Sequence, residues 1–357
     1  MAIDRDTIIN ALRFVIDPTT GLDLVSLNAV QSVEVAGRDV AVSIALGYPA
    51  AGIQQALVEA VKTELKALPA VDQAAVRVVW DVPAAQSTQK APVLESVKNI
   101  IAVASGKGGV GKSTITCNLA AISAHQGLRT LVVDLDPQGN TTQYLLGKAS
   151  DHVETTLADF FDQTLNFKLN PKGTADFVQS TPFPLLNVMP SHAELGELQG
   201  KLESRYKIFK LRDALDELED DYDVVYIDTP PALNFFTRSA LIAAQRCLIP
   251  FDCDEFSRRA LYALLENVDE IKSDHNRHLE IEGIVVNQFQ PRASLPQKVV
   301  QELIDEGLPV VQPYLSASVK IKESHEQAKP MIHLDPKHKL AQEFVALHDS
   351  LARKYGT

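Results

Sequence analysis

The chain has 357 residues, 45% of them hydrophobic and 22% charged, with a formal net charge of −12. Such a composition is ordinary for a soluble globular protein with room for one large domain or two unequal ones, and without a run of eighteen apolar residues no transmembrane helix is expected. The acidic balance holds both before and after residue 98, which excludes a protein that coats nucleic acid with its whole surface and leaves only a local basic patch for that role.

The opening, MAIDRDTIIN, carries two aspartates and lacks the basic end and apolar core of a signal peptide, so a cytoplasmic protein is expected. Ile8, Ile9, Leu12, Val15 and Ile16 fall at helical spacing, and Asp17-Pro18 should end that helix. Val33 and Val35, then Val40, Val42, Ile44 and Leu46, alternate like two strands around Gly37. Ile53, Ala56, Leu57, Val61 and Leu65 give a second amphipathic helix, stopped before Pro69, and Val76, Val78 and Trp80 suggest a last strand. These elements predict a small α+β domain over 1–81. Residues 82–98 turn to Pro, Ala, Gln, Ser and Thr, a linker composition.

From residue 99 to 357 the pattern becomes apolar run, loop, helix, repeated. Ile100 to Ala104, Thr130 to Val133, Asp223 to Ile227, Arg246 to Pro250 and Gly283 to Val286 are short apolar runs that suit strands buried on both faces of a mostly parallel, doubly wound α/β sheet. The stretch from Asn166 to Pro190 has no clear assignment. Three cysteines, Cys117, Cys247 and Cys253, are too few and too oddly spaced for a disulfide framework, and buried small hydrophobes are their expected role.

The strongest signal is IIAVASGKGGVGKST, residues 100–114, in which an apolar strand runs into a glycine loop and Lys112-Ser113 opens a helix. Glycines let backbone N–H groups converge on phosphate oxygens, and the helix N-terminus adds positive potential. Gly106, Lys107, Gly108, Gly109, Val110, Gly111, Lys112, Ser113 and Thr114 are therefore the expected ATP cradle. Lys112 should bridge the β- and γ-phosphates, Ser113 should offer its hydroxyl to Mg²⁺, and Thr114 should touch the α-phosphate. The next strand ends in VVDLDPQGNTT, residues 132–142, where Asp134 and Asp136 leave on one side at the edge where α/β sheets bind ligands. YDVVYIDTPP, residues 222–231, brings Asp228 to the end of another apolar strand.

With Lys107, the loop has the form K-G-G-x-G-K-[ST], which resembles the ParA/MinD/Mrp group of P-loop ATPases. The resemblance implies a slow Mg²⁺-dependent ATP hydrolase that closes as a homodimer around two nucleotides, with Lys107 acting across the interface. It also implies that Asp136 orients the attacking water, that Asp134 supports the magnesium shell, and that Asp228 holds Mg²⁺ through water. Asn287, just after a strand, and Pro313 correspond to positions that border the adenine base in that group.

Two branches of the family are visible. Residues 1–98, with VIDPTTGLDLVSLNAV and LGYPAAGIQQAL, resemble the front domain of Mrp/ApbC iron–sulfur carriers; DLDPQGNTT, DYDVVYIDTPP and KIKESHEQAKPMI resemble the ParA branch, and a ParA-type ATPase shuffled behind a carrier-type front domain is the resulting expectation. The carriers need a C-x-x-C pair, which this chain lacks, so the carrier function loses its thiolate ligands. Partition ATPases bind DNA non-specifically, and Arg258, Arg259, Arg292, Lys298, Lys320 and Lys322 are the candidate bases here. A regulatory scaffold without DNA is the third reading, and an activating protein or cargo is implied but not identified. MinD relatives end in a basic membrane helix, whereas Leu340, Phe344, Leu347 and Leu351 share their helix with Glu343 and Asp349, which suits packing onto the domain rather than a membrane.

Overall fold

The structure is a computed structural model that describes residues 5–17, 23–27, 29–46, 54–80, 99–147, 152–166 and 168–353, divided into two compact units within 1–93 and 94–357. The linker expected at 82–98 lies outside the described residues.

The first unit runs α1 (Arg5–Leu12), β1 (Val30–Ala36), β2 (Asp39–Leu46), α2 (Gln54–Lys66) and β3 (Gln73–Trp80). β1 and β2 pair antiparallel about Gly37, which takes φ 67°, and β3 adds parallel to β2. Alternation in β2 buries Val40, Val42, Ile44 and Leu46 against Leu57, Val61 and Leu65 of α2 and Ile8 and Leu12 of α1. The first helix is shorter than its apolar spacing predicts. Val15 is buried, as expected, but from a turn: N–H groups of Arg13, Phe14 and Val15 bond three residues back, closing the helix. Ile16 then pairs with Asp23 in an isolated bridge and stays exposed.

The second unit is an eight-stranded sheet flanked by helices. In chain order it comprises β4 (Asn99–Val103), α3 (Lys112–His125), β5 (Thr130–Asp134), α4 (Asn140–Leu146), α5 (Leu157–Leu165), β6 (Gln179–Ser180), β7 (Leu186–Met189), α6 (Leu195–Ser204), α7 (Lys210–Glu217), β8 (Val224–Asp228), α8 (Phe235–Ala243), β9 (Arg246–Asp252), α9 (Glu255–Asp274), β10 (Glu280–Asn287), α10 (Ser294–Asp305), β11 (Val310–Val311), α11 (Lys320–Glu326), α12 (Met331–Leu334) and α13 (Lys339–Arg353). The sheet order is β11-β10-β9-β4-β8-β5-β7-β6, parallel throughout except for β6. The five apolar runs are five of its six inner strands, β4, β5, β8, β9 and β10. The unassigned stretch supplies β6 and β7, two strands too short and too mixed in composition to announce themselves.

Both faces are covered. Ile100 and Ala102 of β4 enter one core with Phe161, Phe235 and Phe236, while Ile101 and Val103 enter the other with α3 and α13. α13 buries Leu340, Phe344, Leu347 and Leu351 in that second core. Among the described residues no helix is long and apolar enough to cross a membrane.

The loop between β4 and α3 opens at a topological switch point, because the chain steps from β4 past β8 to β5 in one direction and later to β9 in the other. α3 itself is fixed from behind: Ser123 Oγ lies 3.0 Å from the Tyr226 hydroxyl and 2.9 Å from His348 Nε2. Burial holds the His348 imidazole below its ordinary value. Because the unfolded chain takes up this proton first, the contribution of His348 to stability is present above about pH 6.5 and is lost as pH falls below it. His348→Gln should therefore flatten the fall in thermal midpoint between about pH 7 and about pH 5, read by scanning calorimetry. An unchanged slope would assign the acid sensitivity to other groups.

Candidate nucleotide-binding site

The loop from Ala104 to Gly111 leaves the C-terminal end of β4 and turns directly into α3. Gly109 and Gly111 have φ of 80° and 89°, backbone that only glycine adopts without strain. At Gly111 there is a second constraint: a side chain would collide with the amide of Asn287. That amide donates to the Val110 carbonyl at 2.9 Å, so β10 braces the loop from one side. Gly111 offers no side chain to cap α3, which leaves the first N–H groups of the helix for a ligand at its positive end.

Lys112 is buried, and its ammonium donates to the Lys107 carbonyl at 3.3 Å. Burial lowers its pKa, opposed by the charges of Asp228 and Asp136. The parallel register sets Asp134 of β5 beside Asp228 of β8, both fully buried at the strand ends. Asp134 Oδ2 accepts from the Thr142 backbone N–H at 2.8 Å and hydroxyl at 2.7 Å. Asp228 Oδ2 accepts from the Thr141 hydroxyl at 2.8 Å, whereas its Oδ1 is buried without a hydrogen-bond partner among the described residues. Desolvation is the largest influence on both carboxyls and pushes both pKa values up; Asp134 is raised further by the Asp228 charge, while Ser113 and Thr141 draw Asp228 back toward its ionised form.

Lys112 lines a cleft of about 660 Å³ whose wall also includes Gly108, Gly111, Ser113, Thr114 and Asp136, while Asp134 and Asp228 lie buried behind that wall. The wall is completed by Asn140 and Pro231, which belong to the two aspartate motifs, and by Tyr144 and His325, to which the sequence reading gave no role. A buried carboxylate oxygen without a partner, a second carboxylate in register beside it and a hydroxyl nearby suit a hard divalent cation such as Mg²⁺. The glycine bend, Lys112 and the uncapped helix suit the phosphates of a nucleotide.

Three expected positions are placed differently from the others. Lys107 does not line the cleft; its ammonium pairs with Asp254 and bonds Ser257 Oγ at 3.0 Å, at the start of α9 on its own chain. Asn287 spends its amide on Val110, and neither it nor Pro313 forms part of the cleft wall. The expected DNA-facing bases are mostly engaged. Arg258 bonds Glu302 and Glu306 at 2.6 Å each, tying α9 to α10; Lys298 and Arg259 sit 3.7 and 3.9 Å from Glu302 and Glu255, and Lys320 is 2.8 Å from Glu323. Helical spacing puts each of the last three within reach of a carboxylate on its own helix, which is why charge read along the sequence overstated the basic patch. Arg292 and Lys322 are exposed and have no carboxylate partner among the described residues.

All three cysteines are buried and free; desolvation pushes the Cys117 thiol well up and those of Cys247 and Cys253 to about 12. Among the described residues no group of three or more His, Cys, Asp or Glu side chains is arranged to hold a metal ion.

Comparison with known proteins agrees with this geometry. A family model described as an AAA domain matches residues 98–281, and one described as an iron–sulfur cluster assembly protein matches residues 5–78. The chain is 34% identical over 263 residues to the chromosome partitioning protein ParA of Myxococcus xanthus, covering 72% of this chain and 89% of that protein. It is 31% identical to the sporulation initiation inhibitor protein Soj of Bacillus subtilis, covering 71% and 98%. Among solved structures, cobyrinic acid a,c-diamide synthase from Mycobacterium smegmatis with a bound ATP analog and magnesium superposes with a TM-score of 0.64 at 26% identity, over 73% of this chain and 96% of that one.

The buried acidic pair generates a prediction. Both carboxyls ionise less readily in the fold than in the unfolded chain, so their ionisation opposes folding. That cost is absent below about pH 4 and grows as pH rises through the raised values. Asp228→Asn should raise the thermal midpoint of the nucleotide-free protein by about 2–5 °C at about pH 8, with the gap closing toward about pH 5. A lowered midpoint at the higher pH would show that the pair does not repel as argued.

Proposed function

The chain belongs to the ParA/MinD/Mrp family of P-loop ATPases, and from that premise we propose that it works as an ATP-gated dimer switch of the ParA type, moving or positioning DNA or another large cargo. The observation that carries this reading is the placement of Lys107. A cation at the mouth of a phosphate loop would ordinarily serve that loop's own ligand, yet this one is held by Asp254 and Ser257 and stays out of its own cleft. Released from that pair, it is placed to meet the nucleotide of a second copy.

The backbone N–H groups of the loop and of the first turn of α3 bind the phosphates of ATP, and Lys112 bridges the β- and γ-phosphates. Ser113 and Asp228 would hold Mg²⁺, with Asp134 behind them; the ion supplies positive charge that offsets the charge on the transferring group. Asp136 sits on the cleft wall with Oδ1 held by the Gln138 N–H at 3.0 Å, and its free oxygen orients the attacking water. Lys112 of one chain and Lys107 of the other stabilise the charge that develops on the γ-phosphoryl oxygens. Hydrolysis then dissolves the dimer, and a protein activator or cargo sets its timing.

Non-specific DNA is the favoured surface partner, supported by the partition proteins among the relatives. Arg292 and Lys322 are the bases whose charge is available for phosphate contacts, with Arg259 and Lys298 weakly tethered beside them. The iron–sulfur carrier reading has no comparable support. The front unit, which matches the assembly-protein model, contains no cysteine at all.

Three variants test this reading by nucleotide titration, sedimentation and DNA retention at several salt concentrations. Lys112→Ala should lose Mg²⁺·ATP binding. Lys107→Gln should bind ATP within about threefold of the unaltered protein, lose ATP-dependent dimerisation and DNA retention, and turn over about a hundredfold more slowly. Arg292→Ala should weaken DNA retention at all sequences alike and reduce its salt dependence by about one counterion. DNA binding that ignores ATP would overturn the switch.

A further inference from the structure

The far wall of the cleft carries a side chain that the phosphate-loop chemistry does not account for. His325, on α11, places Nε2 3.0 Å from the Thr114 hydroxyl, and its ring packs on Tyr144 with centroids 4.4 Å apart. This contact is between α3 and a segment more than two hundred residues later, and it is built rather than incidental. Asn118, buried on α3, donates to the Thr114 carbonyl at 2.8 Å and to the Tyr144 hydroxyl at 3.2 Å, and its Oδ1 accepts the Met331 N–H at 2.8 Å. Ser324, fully buried next to the histidine, bonds both the Tyr144 hydroxyl and the Lys329 carbonyl. One buried network therefore fixes the first turn of α3, α4 and the last turn of α11 relative to one another, and it delivers the imidazole to Thr114.

We propose that His325 is a nucleotide-positioning residue that acts through Thr114, orienting its hydroxyl toward the α-phosphate. The argument deepens the ATPase reading and rests on it. A threonine hydroxyl has one hydrogen and two lone pairs. The α-phosphate oxygens of a nucleotide carry no proton near neutral pH, so they only accept. When Thr114 bonds such an oxygen its single hydrogen goes to the phosphate, and whatever else contacts the hydroxyl must donate to it. His325 Nε2–H is the group in place to do so. The imidazole thereby stops the hydroxyl from turning its hydrogen elsewhere, and the chain of donors Nε2–H, Oγ1–H runs one way, into the phosphate. Since ADP and ATP share the α-phosphate, the effect is the same on both, unlike that of Lys112.

The test is a double-mutant cycle on equilibrium affinity for a fluorescent ADP and a fluorescent ATP with Mg²⁺, using the full chain, with thermal midpoints recorded alongside. His325→Phe keeps a ring on Tyr144 and removes the donor; it should weaken both nucleotides about five- to tenfold. His325→Gln keeps an N–H donor and should restore most of that loss. In a Thr114→Val background, His325→Phe should cost nothing further, because the path it acts through is gone. Unaltered affinity in His325→Phe, equal weakness in His325→Gln, or additive losses with Thr114→Val would each overturn the inference while leaving the ATPase intact. If the unaltered protein bound neither nucleotide, the reading of the site itself would fall and take this one with it.

Discussion

Two carboxylates buried side by side are the constraint around which the second unit is arranged. Parallel strands in register leave Asp134 and Asp228 next to each other at the sheet's edge, out of water and with like charge. Nothing in strand packing favours that: apolar residues there would serve the fold better, as they do along the rest of β5 and β8. The arrangement is sustained because each carboxylate is given donors, Thr142 to one and Thr141 to the other, and because Lys112 stands opposite. One oxygen, Asp228 Oδ1, is left without a donor among the described residues. A cation held between them would offset that repulsion, which couples metal binding to the stability of the fold.

The same logic of unmet valence runs through the loop. Gly111 cannot cap α3, so the helix end is incomplete until an anion fills it. Lys112 is buried against a backbone carbonyl, a weak substitute for a phosphate. By contrast, the groups that hold these parts in place are themselves bonded: Asn118 uses both ends of its amide, Asn287 braces Val110, and Thr229 bonds the Val103 carbonyl at 2.9 Å. Supports tied down in this way keep a site preorganised.

The local parts of this site were legible in the sequence, and the assembled ones were not. The strand, glycine bend and lysine of residues 100–114 lie within one stretch whose spacing has a single mechanical meaning, and the buried inner strands announce themselves as unbroken apolar runs. Asp134 and Asp228 were found because each ends such a run. His325 was missed because it lies 211 residues from its partner Thr114 and sits in a segment with no periodic signal. β6 and β7 were missed since two- and four-residue strands carry too little pattern to separate from loop. The basic residues misled for a related reason: sequence shows charges, not the carboxylates that neutralise them. Arg258, the most conspicuous of the six, is the one most firmly bound to its neighbours.

The front segment of one branch and the nucleotide site of another fall in different units of the chain. The first unit has a core of its own, with Ile8, Leu12, Ile44 and Val61 all fully buried within it. Every group that defines the nucleotide chemistry comes after residue 103, in a sheet whose own two cores are complete. The carrier's C-x-x-C pair is not part of this second unit, whose three cysteines are buried and nowhere at that spacing. The activity follows the unit that holds the phosphates, and the front domain is free to have kept or changed its partner.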